Sequence, residues 1–102
     1  EGGREERFDL LLAIPPHRPP RAIGETGITN EAGWIPVDKW SMETSVENVY
    51  ALGDVTAIKL PNGLMLPKAG VFAHAQAKAV AERLAARLRG ATSSARFKGD
   101  GY

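Results

Sequence analysis

Apolar residues cluster in a few short runs separated by stretches rich in glycine and proline. Phe8–Ile14 and Val49–Leu52 are nearly continuous apolar runs, the pattern of strands that are covered on both faces in a parallel sheet. Pro15 and Pro16 end the first run, because proline cannot donate to a strand ladder. Trp34–Val37 alternates large apolar and other residues and predicts a further short strand.

Turn-forming residues dominate between these runs. Pro15–Arg21 holds four prolines in seven residues and predicts a stiff, extended connector. Residues 22–33 show little periodicity and are predicted to be an irregular loop. Pro61-Asn62-Gly63 lies between two apolar segments, 57–60 and 64–66, and therefore predicts a small hairpin.

The second half of the chain contains one long helical pattern. It predicts a helix from Ala69 to Arg89 that ends at Gly90, a residue type typical of helix C-termini. Large apolar residues form one continuous stripe along it, at Phe72, Val80, Leu84 and Leu88. A second row of small side chains would let the helix pack closely against a neighbour, at Ala69, Ala73, Ala77 and Ala81. Few strands and one long C-terminal helix predict an α/β fold.

Size and composition limit the chain to one small domain. A chain of 102 residues buries roughly 60–68% of its unfolded surface, so the core is modest. Both ends, with no starting methionine, are interpreted as cuts in a longer parent chain. There is no cysteine, which excludes disulfide scaffolds and thiolate zinc sites. No apolar stretch is long enough for a membrane span, and a cytoplasmic location is the default, with peripheral membrane association of the parent left open.

Charge is balanced overall but uneven along the chain. The net charge is +1, from 13 basic and 12 acidic residues. Between Lys68 and Lys98 seven basic residues accompany only one acid, Glu82. Aromatic residues do not alternate with these charges as base stacking requires, so a solvated helix face is favoured over nucleic-acid binding. A non-catalytic interaction module that uses the basic helix stays open as an alternative.

The dipeptide Gly53-Asp54 directly follows the Val49–Leu52 run. Ligands of open α/β sheets bind beyond the carboxyl ends of the strands. Gly53 has no Cβ and allows a ligand close to the backbone. Asp54 offers carboxylate oxygens suited to the vicinal hydroxyls of a sugar or ribityl chain.

The start of the long helix is a second candidate for ligand binding. Pro67-Lys68-Ala69-Gly70 provides no good capping side chain, so the first backbone amides need water or a ligand as acceptor. The partial positive charge of a helix N-terminus, together with Lys68, would favour an oxygen that gains negative charge. The alternative is a solvated Lys68 and a Gly70 required only by packing.

Three segments carry a resemblance to a known family. Thr44–Asp54 resembles the second FAD-binding motif of flavoproteins with two dinucleotide-binding domains, a threonine and an apolar strand ending in Gly-Asp. Phe8–Pro20 looks like the strand that returns from the NAD-type domain to the FAD domain. Leu66–Gln76 is similar to the flavin-facing helix of the sulfide:quinone reductase and flavocytochrome c sulfide dehydrogenase branch. Over residues 8–102 the chain thus resembles the pyridine nucleotide-disulfide oxidoreductase superfamily.

This resemblance implies a partial FAD-binding, Rossmann-like domain. Residues 1–20 would be the return strand and connector, and residues 21–102 the C-terminal part of the FAD-binding domain. Asp54 would bind a ribityl hydroxyl and Val55 would lie against the flavin, while Lys68 and nearby amides would face its pyrimidine edge. The implied cofactor-binding residues are Gly53, Asp54, Val55, Lys68, Ala69, Gly70 and Val71. No catalytic or metal-binding residue is assigned.

The implied function is electron transfer through FAD in a sulfide:quinone reductase-like enzyme. The rest of the parent chain and a quinone or cytochrome acceptor would be its partners, and a type-II NADH:quinone reductase-like flavoprotein is the related alternative. The Gly-x-Gly-x-x-Gly phosphate loop and the redox cysteines of the family are absent, so the isolated chain is expected to bind FAD poorly. His17 and His74 lack metal-ligand spacing, and Trp34 and Trp40 are expected to anchor the core.

Overall fold

The computed structural model describes residues 3–99. Its elements, in chain order, are helix α1 (Arg21–Gly24), strand β1 (Ile35–Pro36), a single 3-10 turn (Gly53–Val55), strand β2 (Thr56–Ala57) and helix α2 (Gly70–Leu88). β1 and β2 pair in parallel, with Ile35 opposite Thr56. This short parallel sheet and one long helix are compatible with the predicted partial α/β fold.

Helix α2 confirms the predicted long helix. It begins after Ala69 and ends before Arg89, and Gly90 follows in the left-handed region with φ 68°. Its buried residues are Phe72, Gln76, Ala79, Val80 and Ala86. The predicted stripe is correct for its first half only, because Leu84 is 39% and Leu88 is 89% exposed.

The core lies between α2, the 37–66 region and the C-terminal segment. Its fully buried members are Met42, Ile58, Phe72, Ala79, Val80 and Phe97. The rings of Phe72 and Phe97 pack edge to face, with centroids 6.3 Å apart, a favourable aromatic geometry. The Phe97 amide donates to the Trp40 carbonyl over 2.9 Å. The C-terminal segment therefore closes the core over α2.

The prediction that the tryptophans anchor this core is wrong. Trp40 is 43% exposed, and Trp34 is half-buried beside Lys68. Each indole has a lysine ammonium over its ring, Lys39 over Trp40 and Lys68 over Trp34. Both rings therefore contact a lysine ammonium instead of filling the core.

The predicted parallel strand at Val49–Leu52 is wrong. Tyr50 instead forms an isolated antiparallel bridge with Glu43, and the Ala51 amide donates to the Met42 carbonyl over 3.1 Å. Val49 is 39% exposed. Within the part of the chain that the structure describes, no other strand lies beside this segment, so its backbone groups pair inside their own loop.

The predicted buried strand at Phe8–Ile14 is also wrong for this chain. The segment has no regular secondary structure, and its large side chains are exposed, from 60% at Leu11 to 88% at Leu12. A strand needs a partner for its backbone groups, and residues 3–99 provide none here. The predicted extended connector continues this segment and ends in one helical turn, α1.

Two shorter local predictions are confirmed, whereas residues 22–24 of the predicted irregular loop 22–33 belong to helix α1. β1 lies within the predicted strand Trp34–Val37. The predicted hairpin has an antiparallel bridge between Lys59 and Met65, and the Leu60 amide donates to the Leu64 carbonyl over 2.7 Å. The domain limits 1–20 and 21–102 extend beyond the described residues and stay a prediction. Within the described range, no helix is both long and apolar enough to cross a membrane.

Candidate functional site

Gly53 joins the loop after Tyr50 to the packed surface of α2. Its φ of 71° lies in the left-handed region that favours glycine. A Cβ at this position would lie 3.3 Å from the Ala73 Cβ, and the Thr56 hydroxyl donates to the Gly53 carbonyl over 2.8 Å. The glycine is therefore required by the turn and by the close approach of the helix, a different reason from the ligand approach that the sequence suggested.

Gln76 holds this turn against the helix and was not predicted. Its side chain is 1% exposed, and its amide oxygen accepts a hydrogen bond from the Gly53 amide over 2.6 Å. A signal for it existed in the sequence. Gln76 lies midway between Phe72 and Val80 at spacings of four, so it is a polar residue on the apolar stripe and predicts a buried hydrogen bond.

Lys68 is held in place by neighbouring backbone and by an aromatic ring. Its ammonium donates to the carbonyl of Asp54 and, over 3.2 Å, to the carbonyl of Thr56. The same nitrogen lies 3.6 Å from the centroid of the Trp34 ring. Burial lowers the pKa of Lys68, and the nearby Asp54 charge raises it in part. Lys68 is thus not a freely solvated lysine.

Asp54 contributes its carbonyl to Lys68 and leaves its side chain exposed. Among residues 3–99 no ion pair involves its carboxylate. Asp54 and Lys68 both line a narrow cleft between the 3-10 turn and α2, together with Gly53 and Ala69. They also line a wide groove of about 670 Å³, which Val55 borders as well.

The start of α2 is open, as the sequence suggested. Ala69 precedes the helix in an extended conformation, and no side chain caps the first amides. A Cβ built on Gly70 meets no atom within 4 Å, so packing does not require glycine there. Gly70 and Val71 are exposed and line neither cavity. Of the predicted cofactor-binding residues, the structure thus brings together Gly53, Asp54, Val55, Lys68 and Ala69.

The wide groove has a second wall from the N-terminal connector. Its lining there comes from Pro16, His17, Arg18, Pro20 and Ile23, with Trp34 beside them. His17 and Arg18 add nitrogen donors to a groove that already contains Lys68 and Asp54. His74, in contrast, is exposed on α2. The described residues contain no group of three or more potential metal ligands.

One residue of the basic helix binds its own chain. The Arg83 guanidinium donates to the carbonyls of Ser93 and Ala95 over 3.5 and 3.3 Å, and lies 3.6 Å from a carboxylate oxygen of Glu43. These contacts fix the segment after α2 against the helix. Arg83 is therefore part of the fold and does not belong to a free basic surface.

Comparison with known proteins finds oxidoreductases that match most of this chain. In an alignment of 104 positions that covers 95% of the chain, it is 34% identical to the coenzyme A disulfide reductases of two Staphylococcus epidermidis strains. Over 96 residues, 93% of the chain, it is 29% identical to the mitochondrial sulfide:quinone oxidoreductase of Schizosaccharomyces pombe. The chain covers 22% and 20% of these proteins, about a fifth of their length.

No family model matches the chain, and no solved structure matches it. These relatives are oxidoreductases by name, the first kind acting on a disulfide and the second on sulfide and quinone. These matches support the predicted relationship of the chain to the pyridine nucleotide-disulfide oxidoreductase superfamily.

Proposed function

We propose that this chain is an FAD-binding segment of a flavin-dependent oxidoreductase, the C-terminal part of a Rossmann-like FAD domain. One observation carries the proposal. Asp54 and Lys68, fourteen residues apart, line the same cleft and the same groove beside an uncapped helix start. The similarity to segments of two named oxidoreductases supports it.

The residues present suit a flavin nucleotide. The exposed Asp54 carboxylate would accept hydrogen bonds from ribityl hydroxyls, and Val55 would contact the ring system. Lys68 and the first amides of α2 would place positive charge and N–H donors near a ring edge that becomes negative. FAD itself would supply the electron transfer, while the protein orients it and tunes its electronics.

Within this class we propose a sulfide:quinone reductase-like parent with a quinone or cytochrome as acceptor, as the Schizosaccharomyces pombe match suggests. A disulfide reductase is a second candidate, because the coenzyme A disulfide reductases match with a higher identity of 34%. A type-II NADH:quinone reductase-like flavoprotein is the third. The donor separates the first candidate, which would use sulfide, from the others, which would use a reduced nicotinamide. The acceptor, coenzyme A disulfide or a quinone, separates the second candidate from the third.

The first experiment measures flavin in the full-length protein that contains this segment. We expect Asp54→Ala to weaken FAD binding roughly ten- to a hundredfold, since a hydrogen bond to a charged group contributes about 1.5–3 kcal/mol. Glu47→Ala is the matched control, because Glu47 is an exposed carboxylate that lines neither cavity. Flavin content is read from visible absorption after purification.

A parent protein without flavin, or an Asp54→Ala variant that retains all of it, would contradict the proposal. Anaerobic reduction of the bound flavin then separates the candidates. Bleaching by sulfide alone supports the sulfide:quinone reductase-like function. Bleaching by NADH or NADPH, followed by reoxidation with coenzyme A disulfide or with a quinone, supports the second or the third candidate.

A further inference from the structure

We propose that Trp34 is the positioning residue for Lys68 and holds its ammonium at the junction of the narrow cleft and the wide groove. The consequence for electron transfer rests on the proposed function. The placement itself is a property of this chain and is testable without flavin.

The backbone around Trp34 is fixed from both sides. Its amide donates to the Asn30 side chain over 3.0 Å, and its carbonyl accepts from the Asn30 amide over 2.8 Å. The next residue, Ile35, pairs with Thr56 across the parallel sheet. The Thr56 carbonyl is one of the two that Lys68 contacts. The ring thus directly precedes strand β1 and the carbonyl belongs to its partner β2, so the pairing of the two strands sets their spacing.

The Lys68 ammonium contacts three electron-rich groups. It carries three N–H donors, and it contacts the carbonyls of Asp54 and Thr56 and, at 3.6 Å, the face of the Trp34 ring. An ammonium over an indole face is attracted within about 6 Å of the ring centroid. Because Lys68 is half-buried, water competes less for these contacts than at an open surface.

The other lysine–tryptophan pair provides an internal comparison. The Lys39 nitrogen lies 4.7 Å from the Trp40 centroid, both residues are exposed, and no carbonyl contact of Lys39 occurs among residues 3–99. Among these residues, the Lys39 ammonium therefore has the ring contact without any carbonyl contact. Lys68 loses its freedom, since two carbonyls and a ring hold one nitrogen from different directions.

A lysine held in this way acts as a fixed charge. A free lysine side chain has many rotamers and strong hydration, whereas a preorganised donor needs no rearrangement when charge develops nearby. Trp34 borders the wide groove, but its role in this proposal is exerted through Lys68. It is a positioning residue, and a ligand in the groove would meet an ammonium whose place is already set.

The test uses the full-length protein that contains this segment, freed of flavin, and follows the Lys68 side chain by NMR. We expect its ε-methylene protons to be shifted upfield from those of exposed Lys59 by the indole ring current. We also expect its ε-carbon to have a higher NMR order parameter than that of Lys59, because its donors are engaged and its motion is restricted. Trp34→Leu removes both signatures, and Trp34→Phe keeps most of each because it retains an aromatic face.

Trp40→Leu is the matched control and leaves Lys68 unchanged. If Trp34→Leu does not fold, Lys68→Met tests the same contact from the other side. We expect Lys68→Met to shift the Trp34 fluorescence while the remaining NMR spectrum stays native. Equal shifts and equal order parameters for Lys68 and Lys59 would overturn the proposal, and so would a folded Trp34→Leu variant that retains both signatures.

These readouts separate the present proposal from the proposed function. If Lys68 is held by Trp34 but the parent binds no flavin, only the function fails. If the parent binds flavin but the Lys68 ε-carbon is as mobile as that of Lys59, only the positioning role fails. When both hold, Trp34→Leu lowers the flavin reduction potential in the parent, and Trp34→Phe changes it less.

Discussion

Gly53 and Asp54 are adjacent in the chain and serve different purposes. Gly53 makes the turn that brings α2 close. Its φ is 71°, and a Cβ built on it would lie 3.3 Å from the Ala73 Cβ. Asp54 leaves its carboxylate exposed and gives its carbonyl to Lys68. In the Gly-Asp pair, Gly53 is thus required by the fold, whereas the carboxylate of Asp54 is accessible to a ligand.

Gly53→Ala tests the structural half of this pair. We expect it to lower the free energy of unfolding by more than the roughly 1–2 kcal/mol typical of a non-glycine residue in the left-handed region, because Ala73 must also shift. Gly63→Ala is the control, since Gly63 has φ 85° and an open Cβ position. Urea titration measures both. Equal losses would show that the contact with Ala73 is unimportant.

Asp54→Asn tests the electrostatic coupling between Asp54 and Lys68. Burial lowers the pKa of Lys68 below 10.5, and the Asp54 charge opposes this shift. Removing that charge should lower the pKa of Lys68 further, as measured by NMR titration of its ε-carbon. Glu47→Gln is the control. A pKa that rises or stays constant in Asp54→Asn would contradict the coupling.

The same shift has a consequence for stability. Because the pKa of Lys68 is lower in the folded protein than in the unfolded one, unfolding takes up a proton at any pH between the two values. The Lys68 contribution to stability therefore increases as the pH rises through that window. In Asp54→Asn the window begins at a lower pH, since the folded-state pKa is lower still.

At the scale of elements, α2 is the part that its own sequence specifies best. Its hydrogen bonds are local, and Gly90 ends it as predicted. The apolar stripe did not predict which side chains of α2 are buried. Gln76 is buried by the Gly53 turn, whereas Leu84 and Leu88 extend past the core, so the covered face depends on what packs against it.

Gln76→Leu tests the link between α2 and the turn. The leucine fits an apolar surrounding but leaves the Gly53 amide without its acceptor, which costs about 1–3 kcal/mol. We expect a lower unfolding free energy and faster hydrogen exchange at the Gly53 amide. His74→Leu is the control, as His74 is exposed on the same helix. Unchanged exchange at Gly53 would argue against the bond.

At the scale of the molecule, the described chain is elongated. Its radius of gyration is 17.4 Å, against about 13 Å for a compact domain of this length. The apolar side chains of the N-terminal segment lie in solvent. Exposed apolar clusters of this kind mark interaction sites or promote association.

Replacing Leu10 and Leu12 with lysine tests this point. We expect the wild-type chain to associate at micromolar concentration in sedimentation experiments and the double variant to shift toward monomer, because the apolar segment becomes charged. Leu84→Lys with Leu88→Lys is the control, as these leucines are exposed outside the segment. A wild-type chain that stays monomeric and melts sharply would contradict the prediction.

The sequence by itself determined the features whose contacts are local. Helix α2, its end at Gly90 and the hairpin at Pro61-Asn62-Gly63 depend on residues only a few positions apart, so propensity and periodicity suffice. The motif residues Gly53, Asp54 and Lys68 could also be selected from the sequence, since their types are unusual at the end of an apolar run and at a helix start.

Only the tertiary structure decided what those residues do. The strands predicted at Phe8–Ile14 and Val49–Leu52 depend on neighbours distant in sequence, and such neighbours are absent among residues 3–99, so no strand forms there. The hydrogen bond between Gly53 and Gln76 and the ring beneath Lys68 are likewise long-range contacts. Periodicity reports which residues are apolar, whereas pairing and burial depend on which segments meet.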